Sequence, residues 1–190
     1  RKAVVWVQDL QSGRRATVAN YPGTNSAPAW APGGGQLAVT LSRDGPAQLY
    51  MVTREGGTPR RLTVSGAIDT EPAFSPDGRQ IYFVSDRGGG PQIYRMGLDG
   101  SAPERVTFQG SYNISPAISP DGKTLAYVNR SGSAFRVTTL DLASGTVRTL
   151  TDTQHDESPS FAPNGKLLVY ASRDQGRDVL MTTTLDGRIK

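Results

Sequence analysis

The residues of this 190-residue chain best placed to do chemistry recur at one repeated spot. Three residues before each of Pro28, Pro72, Pro116 and Pro159 stands Asn25, Asp69, Asn113 or Asp156, so the position is Asn or Asp every time. Such a side chain can hydrogen-bond the turn into the following strand, or it can line an opening and meet a partner. The neighbours differ from copy to copy: Thr24 in the first, Thr70 and Glu71 in the second, Tyr112 in the third, His155 and Glu157 in the fourth. Asp69, Glu71, Asp156 and Glu157 would make one acidic mouth in a chain of net charge +4, suited to a basic or amide-rich partner surface. Tyr112 and His155 would supply the compact anchors that dominate recognition. The same carboxylates could gather Ca²⁺, which takes about six to eight oxygen ligands. No contiguous calcium loop is present, so the expectation is no cofactor, with Ca²⁺ at the acidic mouth as the one cation to consider.

Catalytic constellations are missing from the pattern. There is no Gly-x-Ser-x-Gly elbow, no phosphate-binding loop, no His-Glu-x-x-His and no cysteine, and the single histidine, His155, has no serine partner by motif. Gly88-Gly89-Gly90 lacks a strand-to-helix context and reads as a turn. The chain is therefore expected not to be an enzyme.

The elements that must position these residues follow from an internal repeat. Ala27-Pro28-Ala29-Trp30-Ala31-Pro32, Glu71-Pro72-Ala73-Phe74-Ser75-Pro76, Ser115-Pro116-Ala117-Ile118-Ser119-Pro120 and Ser158-Pro159-Ser160-Phe161-Ala162-Pro163 are versions of one phrase, with first prolines spaced 44, 44 and 43 residues apart. A tight turn follows each, at Asp77-Gly78, Asp121-Gly122 and Asn164-Gly165, or at Gly33-Gly34-Gly35 in the first copy. Then come a second apolar strand, a third carrying Trp6, Tyr50, Tyr94, Thr138 or Met181, and a short basic fourth such as Arg61-Leu62-Thr63. Four short antiparallel strands every 40-odd residues describe a β-propeller blade, and no helical periodicity competes.

The fold class is therefore all-β, an incomplete β-propeller in a single domain over 1–190. Three whole blades are expected at about 27–63, 71–107 and 115–151, with a partial blade at 1–19 and an incomplete last blade at 158–190. The expectation is a fragment of a larger ring. The arginines recur once per repeat rather than in a run, which argues against nucleic acid. No apolar run approaches the roughly 18 to 20 residues of a membrane-spanning helix, so no direct membrane insertion is expected, and the chain is expected to be monomeric.

Phe74-Ser75-Pro76-Asp77-Gly78 with Ile81-Tyr82-Phe83-Val84-Ser85-Asp86 resembles the PD40-type repeat. Tyr21-Pro22-Gly23-Thr24-Asn25-Ser26-Ala27-Pro28-Ala29, Gly90-Pro91-Gln92-Ile93-Tyr94, Arg105-Val106-Thr107-Phe108-Gln109-Gly110-Ser111 and 156–165 narrow the resemblance to the TolB family of the Tol-Pal system. That resemblance implies a six-bladed parent and a periplasmic location. It implies binding of the lipoprotein Pal at the propeller mouth, with TolA and other components engaged through regions outside these residues. Outer-membrane integrity and constriction at division are the implied roles. A substrate-gating propeller of a prolyl-oligopeptidase-like serine hydrolase is the alternative.

Overall fold

A computed structural model describes residues 3–99 and 101–188. Residues 1 and 2 of the expected first part-blade, Gly100 of the turn after Leu98, and 189 and 190 of the last blade lie outside the described residues.

Among the described residues every regular element is a β-strand, laid down in consecutive antiparallel meanders. β1 (Val5–Gln8) pairs with β2 (Arg15–Ala19) in a two-stranded sheet. Three four-stranded sheets follow: β3 (Asn25–Trp30), β4 (Gln36–Leu41), β5 (Gln48–Thr53) and β6 (Arg60–Arg61); β7 (Asp69–Phe74), β8 (Gln80–Ser85), β9 (Gln92–Gly97) and β10 (Glu104–Arg105); β11 (Asn113–Ile118), β12 (Thr124–Ser131), β13 (Ala134–Asp141) and β14 (Val147–Thr149). A three-stranded sheet of β15 (Glu157–Phe161), β16 (Leu167–Asp174) and β17 (Arg177–Thr184) ends the series.

Where a sheet is sandwiched between two neighbours its second strand is buried on both faces, as Leu37–Leu41 and Ile81–Ser85 show, whereas in the last sheet β16 alternates buried and half-buried residues. The apolar core is accordingly a series of slabs between adjacent sheets. One holds Leu37, Val39 and Tyr50 against Val5 and Val18; the next holds Ile81, Phe83 and Tyr94 against Ala38 and Leu49. Leu125 and Tyr127 then pack on Tyr82 and Ile93, and Leu168 and Tyr170 on Ala126 and Val137. The inner strands β3, β7, β11 and β15 stand side by side, and Pro28, Pro72, Pro116 and Pro159 converge on one axial opening. Radial sheets around a common axis are a β-propeller.

Two polar devices recur, the first in all three four-stranded sheets and the second in two of them. Two residues past each fourth strand, Thr63, Thr107 and Thr151 are buried, and each accepts the third-strand amide of Leu49, Ile93 or Val137 at 3.0 Å. In the turn after the inner strand, the Ser75 hydroxyl donates to Asp77 at 2.6 Å and accepts the Gln80 amide at 2.9 Å, and Ser119, Asp121 and Thr124 repeat the pattern. Gly78 and Gly122 close these turns at φ 69° and 73°, a region open to glycine without steric penalty.

Candidate functional site

The inner strands are not regular. Ala27, Glu71, Ser115 and Ser158, each directly before the repeated proline, adopt φ of 47°, 52°, 54° and 52°. A side chain there costs about 1–3 kcal/mol, and a following proline narrows the choices further. The strand register against its neighbour breaks at this point in all four sheets, between Ser26 and Ala29, Thr70 and Ala73, Ile114 and Ala117, and Glu157 and Ser160. The bulge breaks the regular ladder beside the axis and re-aims the side chains there. Glu71 uses the result, its carboxylate accepting the freed Ser115 amide of the next blade at 2.6 Å.

The Asn/Asp ring lies buried beneath the mouth, and of its members only Asp156 borders a groove there. Asn25, Asp69, Asn113 and Asp156 are all buried, with side-chain polar atoms consumed by the protein. Asn25 accepts the Tyr21 amide and donates to the Tyr21 carbonyl, both at 2.8 Å. Asp69 receives Arg87 Nη2 at 3.0 Å on both oxygens and the Ser65 hydroxyl at 3.0 Å. Asn113 donates to Gln92 and accepts from Asn129, each at 2.8 Å. Asp156 accepts the hydroxyls of Thr151, of Thr153 at 2.5 Å and of Ser172 at 2.8 Å. These four tie the incoming loop to the sheet, and the expectation that they face a partner is corrected: desolvated groups stay buried only when paired, and the pairing leaves nothing to offer.

What the mouth does present is a groove of about 430 Å³ between the third and fourth inner strands, bordered by Glu71, Tyr112, Phe135, His155, Asp156 and Glu157. Tyr112 and Phe135 meet edge to face with ring centroids 5.9 Å apart, and the Arg130 guanidinium sits 5.3 Å over the Tyr112 ring. The pair is built by backbone: the Phe135 amide donates to Gln154 O at 2.9 Å and the Asp156 amide to Phe135 O at 3.1 Å, seating His155 beside Phe135. His155 and Glu157 are exposed and also border an adjoining depression with Arg173 and Asp178. Of the residues singled out from sequence, the groove unites Glu71, Tyr112, His155, Asp156 and Glu157. Thr24 lies elsewhere, its amide bonded to Ser42 at 2.7 Å, and Thr70 faces Thr40 of the preceding blade at 3.2 Å. Among the described residues no three His, Asp or Glu side chains come together as a cation site.

Phe135 and Arg130 escaped sequence reading because they flank the loop between second and third strands, outside the repeated phrase. An aromatic residue beside that loop, which opens on the same face as the inner-strand loops, was the available signal.

Residues 1–190 match the family model described as PD40, TolB beta propeller domain. The chain belongs to the TolB propeller family. A crystal structure of TolB from Acinetobacter baumannii is similar over 97% of this chain and 47% of that one, with 41% identity and a TM-score of 0.90. A Tol-Pal system protein TolB from Desulfosudis oleivorans is 47% identical over 51 residues, 27% of this chain and 12% of that protein. This chain thus spans about half the length of the Acinetobacter TolB and a smaller part of the Desulfosudis protein. Beyond TolB, a puromycin-hydrolyzing peptidase from Mycobacterium tuberculosis shares the fold, at 20% identity and TM-score 0.70 over 95% of this chain and 31% of the peptidase.

Proposed function

We propose that this TolB-family propeller is a non-enzymatic, periplasmic binding module of a Tol-Pal system that receives the lipoprotein Pal at the groove between Tyr112, Phe135, His155 and Glu157. Outer-membrane integrity and envelope constriction at division are the processes it would serve, and TolA and other components would be met by regions outside these residues. The observation that carries the reading is the groove itself. It holds an edge-to-face aromatic pair in a fixed backbone frame, with an imidazole and a carboxylate exposed beside it. Rings that are already ordered lose little entropy on binding, and flanking charges select the partner. The gating reading has only the fold shared with the peptidase behind it.

Pal capture by His155→Ala and Glu157→Gln variants tests the proposal. Both side chains are exposed, so thermal unfolding should stay close to the parent while affinity falls by about tenfold or more. Undiminished capture by both variants would remove the groove from consideration.

A further inference from the structure

The groove at the mouth carries a charge that the repeat does not require. The residue before each repeated proline takes the same positive φ in all four copies, yet it is Ala27, Ser115 or Ser158 in three of them and Glu71 in one. One position earlier stand Ser26, Thr70 and Ile114 in three copies and Glu157 in the fourth. Backbone geometry that tolerates these neutral residues does not call for a carboxylate, and both glutamates border the groove. Phe135 departs in the same way. The amide of each Asn/Asp residue donates to the start of the third strand of the preceding blade: Asp69 to Ala47 O at 2.8 Å, Asn113 to Pro91 O at 2.9 Å and Asp156 to Phe135 O at 3.1 Å. Only the last of these positions holds an aromatic ring.

A third carboxylate borders the same groove from below, and its charge is not balanced. Asn25 and Asn113 of the buried ring are neutral, and Asp69 is matched by Arg87 at 3.0 Å. Asp156 is instead held by the Val137 amide and the hydroxyls of Thr151, Thr153 and Ser172, all neutral donors. Its lone pairs are spent, so what it contributes to the groove is field rather than contact.

Among the described residues no arginine or lysine borders the groove. The neighbouring arginines are turned elsewhere: Arg130 lies over the Tyr112 ring, Arg136 donates to Thr153 O at 3.3 Å, and Arg173 pairs with Asp178 at 3.3 Å. None of the ion pairs among the described residues engages Glu71, Asp156 or Glu157. A bare Ca²⁺ would need about six to eight oxygens in one shell, and these carboxylates do not gather into one. A cation carried on a flexible apolar arm needs no such shell, since its stem can lie on aromatic surface while its charge meets the field.

We infer that the groove receives one lysine or arginine side chain of the protein that docks at the mouth, its methylene stem along Tyr112 and Phe135 and its charge toward Glu157, Glu71 and Asp156. The inference rests on this groove being the docking site, and it names what the partner must bring to it.

The test titrates the isotopically labelled protein with Nα-acetyl-lysine methylamide, its arginine counterpart, and the norleucine methylamide that matches the lysine stem without the charge. Saturable resonance shifts at Tyr112, Phe135 and His155 are expected with both cationic probes. Their affinity should be about fivefold above that of norleucine and should fall as salt is raised. Glu157→Gln and Glu71→Gln should each lower that preference about twofold. Both substitutions spare the fold, since Glu157 is exposed and a glutamine oxygen at position 71 still accepts the Ser115 amide. Norleucine binding as tightly as lysine, shifts confined to other residues, no saturable shift, or an undiminished preference in both variants would each overturn the inference. Pal capture separates it from the docking reading. If His155→Ala loses Pal while the probes show no preference for charge, the groove docks its partner without a cation and the inference falls alone. If the probes prefer charge while parent and His155→Ala capture Pal equally, the cation subsite stands and Pal docks elsewhere.

Discussion

Asn and Asp alternate around the buried ring because their hydrogen-bonding inventories differ. An ionised carboxylate only accepts, whereas an amide accepts on one side and donates on the other. Asp156 is surrounded by donors, the Val137 amide and the hydroxyls of Thr151, Thr153 and Ser172. Asn25 must also satisfy the carbonyls of Tyr21 and Gly23, which a carboxylate would repel. Asp69 has the most to lose on truncation, since it is fully buried and holds Arg87, whose side chain is 24% exposed. Asp69→Ala should cost about 3 kcal/mol, the lower end for a broken buried pair because water can still reach the guanidinium. Asp69→Asn should cost less, since the amide oxygen still accepts from Ser65. Urea unfolding of both variants measures the difference. The Asn/Asp position was plain from sequence, but its burial was not: a side chain before a bulged strand can point either way, and the loop packed over it decides.

At the scale of the element, the turns after the second and third inner strands carry a charge whose worth depends on pH. The hydrogen bond from Ser75, then that from the Arg79 amide, holds Asp77 below its ordinary value of 3.8, and Ser119 with the Lys123 amide does the same for Asp121. A depressed folded-state pKa means that the unfolded chain takes up protons first as pH falls. The stabilisation is therefore complete above the unfolded value and disappears as pH drops through the folded one. Asp77→Asn and Asp121→Asn should lower the urea midpoint at pH 6, and the gap from the parent should narrow and then close as the pH falls progressively below 3.8. A gap that persists at low pH would assign the effect to packing. These turns were legible because Asp-Gly after an apolar strand has few alternatives. The bulge at the residue before the proline was not, since local preference disfavours a positive φ there and only the crowding of four inner strands around the axis selects it.

For the molecule as a whole, stability resides in slabs between neighbouring blades, so each blade depends on the two beside it. Phe83 is fully buried in the slab between the first and second four-stranded sheets, beside Tyr94 at 6.3 Å. Phe83→Ala should cost about 3–5 kcal/mol, and amide exchange should accelerate most in β4, β5, β8 and β9, which flank the cavity, and least in β16 and β17. Uniform acceleration throughout would show that the blades unfold as one unit.

The 44-residue cadence, the strand count of each unit and the turn chemistry could be read from amino-acid order alone, because they depend on alternation and backbone sterics within a few residues. Membership of the TolB propellers was visible in the same way, in phrases that recur in order. Which polar residues point outward was decided only when distant segments met. Burial consumed the Asn/Asp ring, and the loops of neighbouring blades placed Tyr112, Phe135 and His155 together at the mouth. Short-range rules choose elements; exposure and mutual placement belong to the packed whole, where water is excluded from some polar groups and left to others.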